Sequence, residues 1–230
     1  MPISSASADA ENTDAATRRR AADCGHEHLA LDHPDRLYFD FSSPYSYIAS
    51  EWIEALAARH GRSVDWRAIL LGATFQAAEL KSPVSYPIKR EYSLRDFDRS
   101  ARYAGVPFTL PRKFPIPTQN AARIFWSLHA EDSARATAWA RHGLLALFAR
   151  GVDLSDPAAL EALAVEFGLA PGAAGTIATD PVWKAGLKAA NDAAIAAGIF
   201  GAPTFVVDGE PFWGNDRREQ VERWLASGPF

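Results

Sequence analysis

Apolar residues recur along this chain with two periods. Leu37–Phe41 is a short apolar and aromatic run, LYFDF, with the composition of a buried strand. From Tyr45 to Arg59 the spacing becomes helical, with Tyr47, Ile48, Trp52, Ile53, Leu56 and Ala57 on one broad face. Between the two, Ser42 or Ser43 offers an N-cap, and Pro44 suits the first helical position, where no backbone donor is needed. Ser63–Leu71 alternates, with Val64, Trp66, Ala68 and Leu70 on one side. The pattern predicts a strand over 36–41, a helix over 44–60 ending at Gly61, and a second strand over 63–71. Strand, helix, strand is a βαβ unit, which makes the strands parallel.

Beyond Leu71 the pattern turns helical. Residues 74–81 make one or two turns, and two prolines force a loop over 82–87. A charged helix follows over 88–104, and four prolines make 107–117 an extended connector. Cap and breaker signals place helices over 118–130, 132–150, 156–167, 171–178 and 181–197. Strands return at the end: 205–207, a turn at Asp208-Gly209, 210–213, and a last helix over 216–227 capped by Asn215 or Asp216. The order β-α-β, helical block, β-β-α predicts a small α/β sheet split by an all-helical insertion. The expected boundaries are a flexible tail over 1–35, a sheet domain over 36–72 and 199–230, and an inserted helical domain over 73–198.

Composition narrows the function. The chain has 230 residues, 48% hydrophobic, with a formal net charge of −4, which argues against nucleic acid and anionic membranes as partners. No apolar run is long enough to span a bilayer, and no secretory signal is evident, so the expected location is the cytoplasm. Cys24 is the single cysteine, which excludes an internal disulfide. Cys24, His26, His28 and His33 have ligand-like spacing. They fall in a polar segment with nothing apolar to hold them, so no metal site is expected. His60, His129 and His142 are scattered over helices without a Gly-x-Ser-x-Gly elbow, which argues against a hydrolase.

Ser43 sits where a strand turns into a helix. Its hydroxyl and the first free amides of the helix face the same way, which suits an anion such as a thiolate. A cap without chemistry is the alternative reading.

Three segments carry a resemblance: FDFSSPYSY at 39–47, KREYSLRDFDRSARYAGVP at 89–107 and FGAPTFVVDGEPFWGNDR at 200–217. From about Leu37 onward the chain resembles the branch of the DsbA-like thioredoxin superfamily that holds 2-hydroxychromene-2-carboxylate isomerases and kappa-class glutathione transferases. The resemblance implies a thioredoxin-like fold with a large helical insertion, glutathione as cofactor and a homodimer. Ser43-Pro44-Tyr45-Ser46 stands where a disulfide oxidoreductase of this fold carries its Cys-x-x-Cys pair. A DsbA-type oxidase is therefore excluded. The resemblance instead makes Ser43 the catalytic residue that holds and activates the thiol of glutathione. It makes Pro203 a cis-proline that leaves the Ala202 backbone free to pair with the tripeptide. Trp213, Gly214, Asn215 and Asp216 would take the γ-glutamyl end, and Lys89 a carboxylate. Asn120 and Tyr45 are further candidates in the same cleft, and Tyr92, Phe125 and Trp126 are candidate pocket aromatics. The family's tryptophan after the arginine of the middle segment is replaced by Ser100, and the 72–87 loop also departs from the pattern. Three functions are expected in order: a glutathione-dependent isomerase of an aromatic-degradation route, a kappa-like glutathione transferase, and a non-catalytic peptide-binding module.

Overall fold

A computed structural model describes residues 34–230. The tail expected over 1–35, with Cys24, His26, His28 and His33, lies outside the described residues except for its last two positions. Asp35 already belongs to the first strand, where its buried carboxylate pairs with Arg62 at 2.6 Å.

Four strands form one mixed sheet in the order β2-β1-β3-β4: β1 Asp35–Phe39, β2 Val64–Ala68, β3 Thr204–Val207 and β4 Glu210–Trp213. β1 runs parallel to β2, with Leu37 opposite Trp66, and antiparallel to β3, with Leu37 opposite Phe205. β3 and β4 are the expected hairpin around Asp208-Gly209.

The helix expected over 44–60 is two helices, α1 Pro44–Ser50 and α2 Ile53–Arg59. Two side chains account for the break. The Ser50 hydroxyl donates back to the Tyr47 carbonyl at 2.6 Å, a bond that bends helices. Trp52 turns its ring onto Phe205, with centroids 5.0 Å apart, and its indole N–H onto Asn215 Oδ1 at 2.8 Å.

The helical block holds α3 Leu71–Ala77, a 3-10 turn at Pro83–Ser85, α4 Pro87–Tyr103, α5 Gln119–Glu131, α6 Ser133–Phe148, α7 Pro157–Glu166, α8 Ala173–Thr179 and α9 Pro181–Ala196. After β4 comes a 3-10 turn, Asn215–Arg217, and then α10 Arg218–Ser227. Asp132, Asp156 and Asp180 each cap the helix that follows them. One apolar core joins the sheet to the block. Phe39 meets Trp66 and Phe125 edge to face, each 5.3 Å away. Phe41, just past the end of β1, lies on α6 against Gly143. A Cβ there would stand 2.7 Å from the Phe41 ring.

Candidate active site

The turn from β1 into α1 is held from three sides. Ser43 is the N-cap (φ −93°, ψ 113°), and its oxygen accepts the Ser46 amide at 3.1 Å. The same hydroxyl donates to the Ala202 carbonyl at 3.2 Å, and the Ala202–Pro203 bond is cis. Ser43 is buried, yet it lines the floor of a cleft of about 1210 Å³. Its hydrogen is the movable part: rotation about the Cβ–Oγ bond takes it from a carbonyl to any acceptor on that floor.

Beside it stands Asp40, a residue that sequence reasoning absorbed into the apolar run. Its carboxylate is buried and accepts three hydrogen bonds: from the Ser42 amide at 2.6 Å, the Leu71 amide at 2.6 Å and the Thr118 hydroxyl at 3.2 Å. The Asp40 carbonyl also accepts the Ser43 amide at 3.0 Å. One side chain thus ties the Ser43 turn to the starts of α3 and α5. Burial pushes its carboxyl above the usual range, and the three donors oppose that shift without cancelling it. The signal was present: an acid inside a run of strand aromatics must find donors or stay protonated.

The other sequence candidates fall into two groups. Tyr45, Ala202, Pro203, Trp213, Gly214, Asn215 and Asp216 all line the cleft with Ser43. Tyr45 donates its hydroxyl to Asp96, and its phenol is pushed upward by burial first and by Asp96 second. The expected capping by Asn215 or Asp216 is replaced by another arrangement. Neither caps α10: Asn215 Oδ1 takes the Trp52 indole, and Asp216 pairs with Arg217 at 3.0 Å. The Asp216 carboxylate folds over Gly214 (φ 113°), in the space where any larger residue would put its Cβ. Lys89 and Asn120 are not among the lining residues. Lys89 is exposed, its ammonium 5.1 Å from the Tyr86 ring centroid, and Asn120 accepts Arg123 at 3.0 Å. Of the candidate aromatics, Tyr92 lines the cleft, whereas Phe125 is core and Trp126 donates to the Ala68 carbonyl at 3.0 Å.

Residues not named singly from the sequence complete the walls, among them Phe75, Leu80 and Lys81 of the 72–87 segment. Leu71, Phe75 and Leu80 give one side an apolar surface, with Phe97, Phe114 and Ile116 adding to it. Lys81 lines the cleft and has no carboxylate within ion-pair distance among the described residues, whereas Arg217 is occupied by Asp216. Among the described residues no cluster of His, Cys, Asp and Glu could hold a metal ion, and no helix is long and apolar enough to cross a membrane.

A parallel βαβ unit, a β-hairpin preceded by a cis-proline, and an alcohol at the mouth of the first helix define a thioredoxin-like protein without the redox pair. The comparisons agree. The DSBA-like thioredoxin domain matches residues 36–226. The 2-hydroxychromene-2-carboxylate isomerase of Sphingobium xenophagum is 31% identical over 190 residues, covering 82% of this chain and 95% of that protein. Glutathione S-transferase kappa 2 of Caenorhabditis elegans is 29% identical, covering 85% and 92%. A solved 2-hydroxychromene-2-carboxylate isomerase superposes with a TM-score of 0.76 at 24% identity, over 84% of this chain and 95% of that one. The chain belongs to the DSBA-like thioredoxin domain family and, within it, to the branch of 2-hydroxychromene-2-carboxylate isomerases and kappa-class glutathione transferases.

Proposed function

We propose that this protein is a glutathione-dependent isomerase acting on 2-hydroxychromene-2-carboxylate or a close analogue, in the breakdown of aromatic compounds. The observation that carries the reading is the Ser43 hydroxyl against the Ala202 carbonyl on the floor of an apolar cleft. It is an alcohol at the helix mouth in a described chain without cysteine.

The residues present fit a γ-glutamyl tripeptide. Asp216 on the cleft can take its ammonium, and the first amides of the 215–217 turn its carboxylate. The Ala202 backbone can pair with its cysteine. Bound glutathione would supply a thiolate that adds reversibly to the substrate's double bond and so allows rotation. Ser43 turns its hydrogen from Ala202 to the sulfur, and a hydrogen bond to the charged form lowers a thiol's pKa. The α1 dipole behind it spans only seven residues, so the hydroxyl carries more of this effect than helix length suggested.

A chromene with a hydroxyl on the carboxylate-bearing carbon is a hemiketal. Opened, it is a phenol joined through an alkene to a 2-oxo acid. Leu71, Phe75 and Leu80 suit the aromatic ring, and Lys81 suits the carboxylate. Lys89 would need to leave the Tyr86 ring to do the same.

The direct test is isomerisation of the chromene with and without glutathione. A rate that depends on glutathione while glutathione is not consumed supports the reading, and equal rates contradict it. The match to a kappa-class transferase favours one alternative: conjugation, in which glutathione leaves in the product. Product analysis with a chloroaromatic separates the two. The family resemblance also leads us to propose a homodimer, which sedimentation of the purified chain checks.

A further inference from the structure

The α4 wall of the cleft carries a chain of polar groups that the reading above leaves unused. Tyr45 donates to one oxygen of Asp96, and Arg99 donates to the other. Arg99 also donates to the Tyr92 hydroxyl at 3.1 Å, with its guanidinium carbon 5.4 Å from the centre of the Tyr92 ring. Tyr92, Asp96 and Tyr45 all line the cleft. The four groups differ in what they have left to give. Tyr45 has spent its single hydrogen on Asp96. Asp96 accepts from two donors. Tyr92 only accepts, and among the described residues nothing accepts from it. A phenol has one hydrogen to donate. That hydrogen is free at the cleft.

Accepting a bond from a cation polarises an O–H and makes it a stronger donor, because hydrogen bonds in a chain reinforce one another. The hydroxyls of Ser82, Ser85 and Ser100 line the same cleft, and among the described residues none accepts from a cation. We propose that Tyr92 is a catalytic residue whose hydroxyl, set by Arg99, donates a hydrogen bond to the 2-oxo oxygen of the ring-opened substrate as negative charge collects there. This rests on the isomerase reading of the same site. Addition at the alkene moves an electron pair through the conjugated system onto that oxygen, and reversal returns it. Tyr92 donates a hydrogen bond throughout and transfers no proton, so the phenol is unchanged at the end of each turnover. A donor aimed where charge develops lowers the barrier more than it tightens ground-state binding. Arg99 acts through Tyr92 and Asp96 and is a positioning residue.

Tyr92→Phe keeps the ring and its cation–π contact and removes only the O–H. Tyr92 is 64% exposed, so the fold is not at stake. The expected result is a fall in kcat of about 10- to 100-fold, with KM within about twofold. A second readout needs no glutathione. Benzylidenepyruvate, an aryl-substituted unsaturated 2-oxo acid, is bound to wild type and variant, and its carbonyl stretch is read by infrared difference spectroscopy. The stretch should lie at higher frequency in Tyr92→Phe, because the carbonyl has lost a donor. An unshifted stretch, or a kcat within about threefold of an active wild type, overturns this assignment alone. A rise in KM with kcat intact does the same, since it makes Tyr92 merely part of the wall. A wild type that binds glutathione but does not isomerise the chromene overturns the functional reading and the assignment with it.

Discussion

Two side chains, Asp40 and Lys81, decide most at the scale of the residue, and neither was singled out as a candidate. Asp40 is a buried acid with no cation on it among the described residues, held by two amides and a hydroxyl. Because burial raises its carboxyl above the unfolded value, the folded chain holds this proton more tightly than the unfolded one. The sign follows: Asp40's contribution to stability falls as pH rises from the ordinary carboxylate value through its own raised value. Denaturant titrations across acid pH should show the wild type losing stability relative to Asp40→Asn over that window, and a constant difference contradicts it. Lys81→Met should raise KM for the chromene carboxylate about 3- to 10-fold, as expected for an exposed ion pair of about 1 kcal/mol. Glutathione affinity, read by calorimetry, should stay unchanged, and a loss there would move Lys81 to the other ligand. That Ser43, Ala202, Asn215 and Asp216 would meet at one cleft was legible because two motifs of one family carry them. Asp40 and Lys81 were not: one hides inside an apolar run, and the other is an ordinary lysine until the fold sets it on the cleft.

Elements were legible where caps and breakers mark them and less so where a distant contact overrides a local preference. The helix of residues 44–60 reads as continuous from its apolar face, but its break is set by Phe205 and Asn215, more than a hundred and fifty residues away. The last helix begins later than expected: a 3-10 turn over Asn215–Arg217 precedes it, with Asn215 Oδ1 turned to the Trp52 indole. Trp52→Phe should leave the sheet intact and loosen the 214–217 turn, costing about 1 kcal/mol of stability and weakening glutathione binding severalfold. Calorimetry and urea unfolding check both; unchanged binding would mean that the turn needs no such tie. α6 gives a case where a propensity rule reverses. Glycine to alanine inside a helix ordinarily stabilises by about 1 kcal/mol. Gly143→Ala should instead destabilise by about 1–3 kcal/mol, because the new methyl overpacks the fully buried Phe41 under the Ser43 turn. A melting temperature at or above that of the wild type contradicts this.

Across the whole molecule, the site is a meeting of distant segments. Ser43 and Ala202 are separated by 159 positions and joined by one hydrogen bond. Asp40 adds the starts of α3 and α5, and Trp52 adds the last turn before α10. A continuous core links the sheet to the helical block, so the block that lines one side of the cleft is packed on the strands that lead to Ser43 and from Ala202. The α/β order and the helical insertion were readable from pattern alone. The sharing of one core was not, because spacing along a chain does not say which apolar faces meet. The proposed role of this arrangement is to steady a sulfur that the described chain does not own. The most direct measurement is the pKa of glutathione's thiol in the complex, followed by the ultraviolet absorbance of the thiolate across pH in wild type and in Ser43→Ala. The wild type should bring the thiol below its free value, and the variant should bind the tripeptide but return the thiol most of the way to that value. A bound thiol that titrates alike in both proteins would contradict the account.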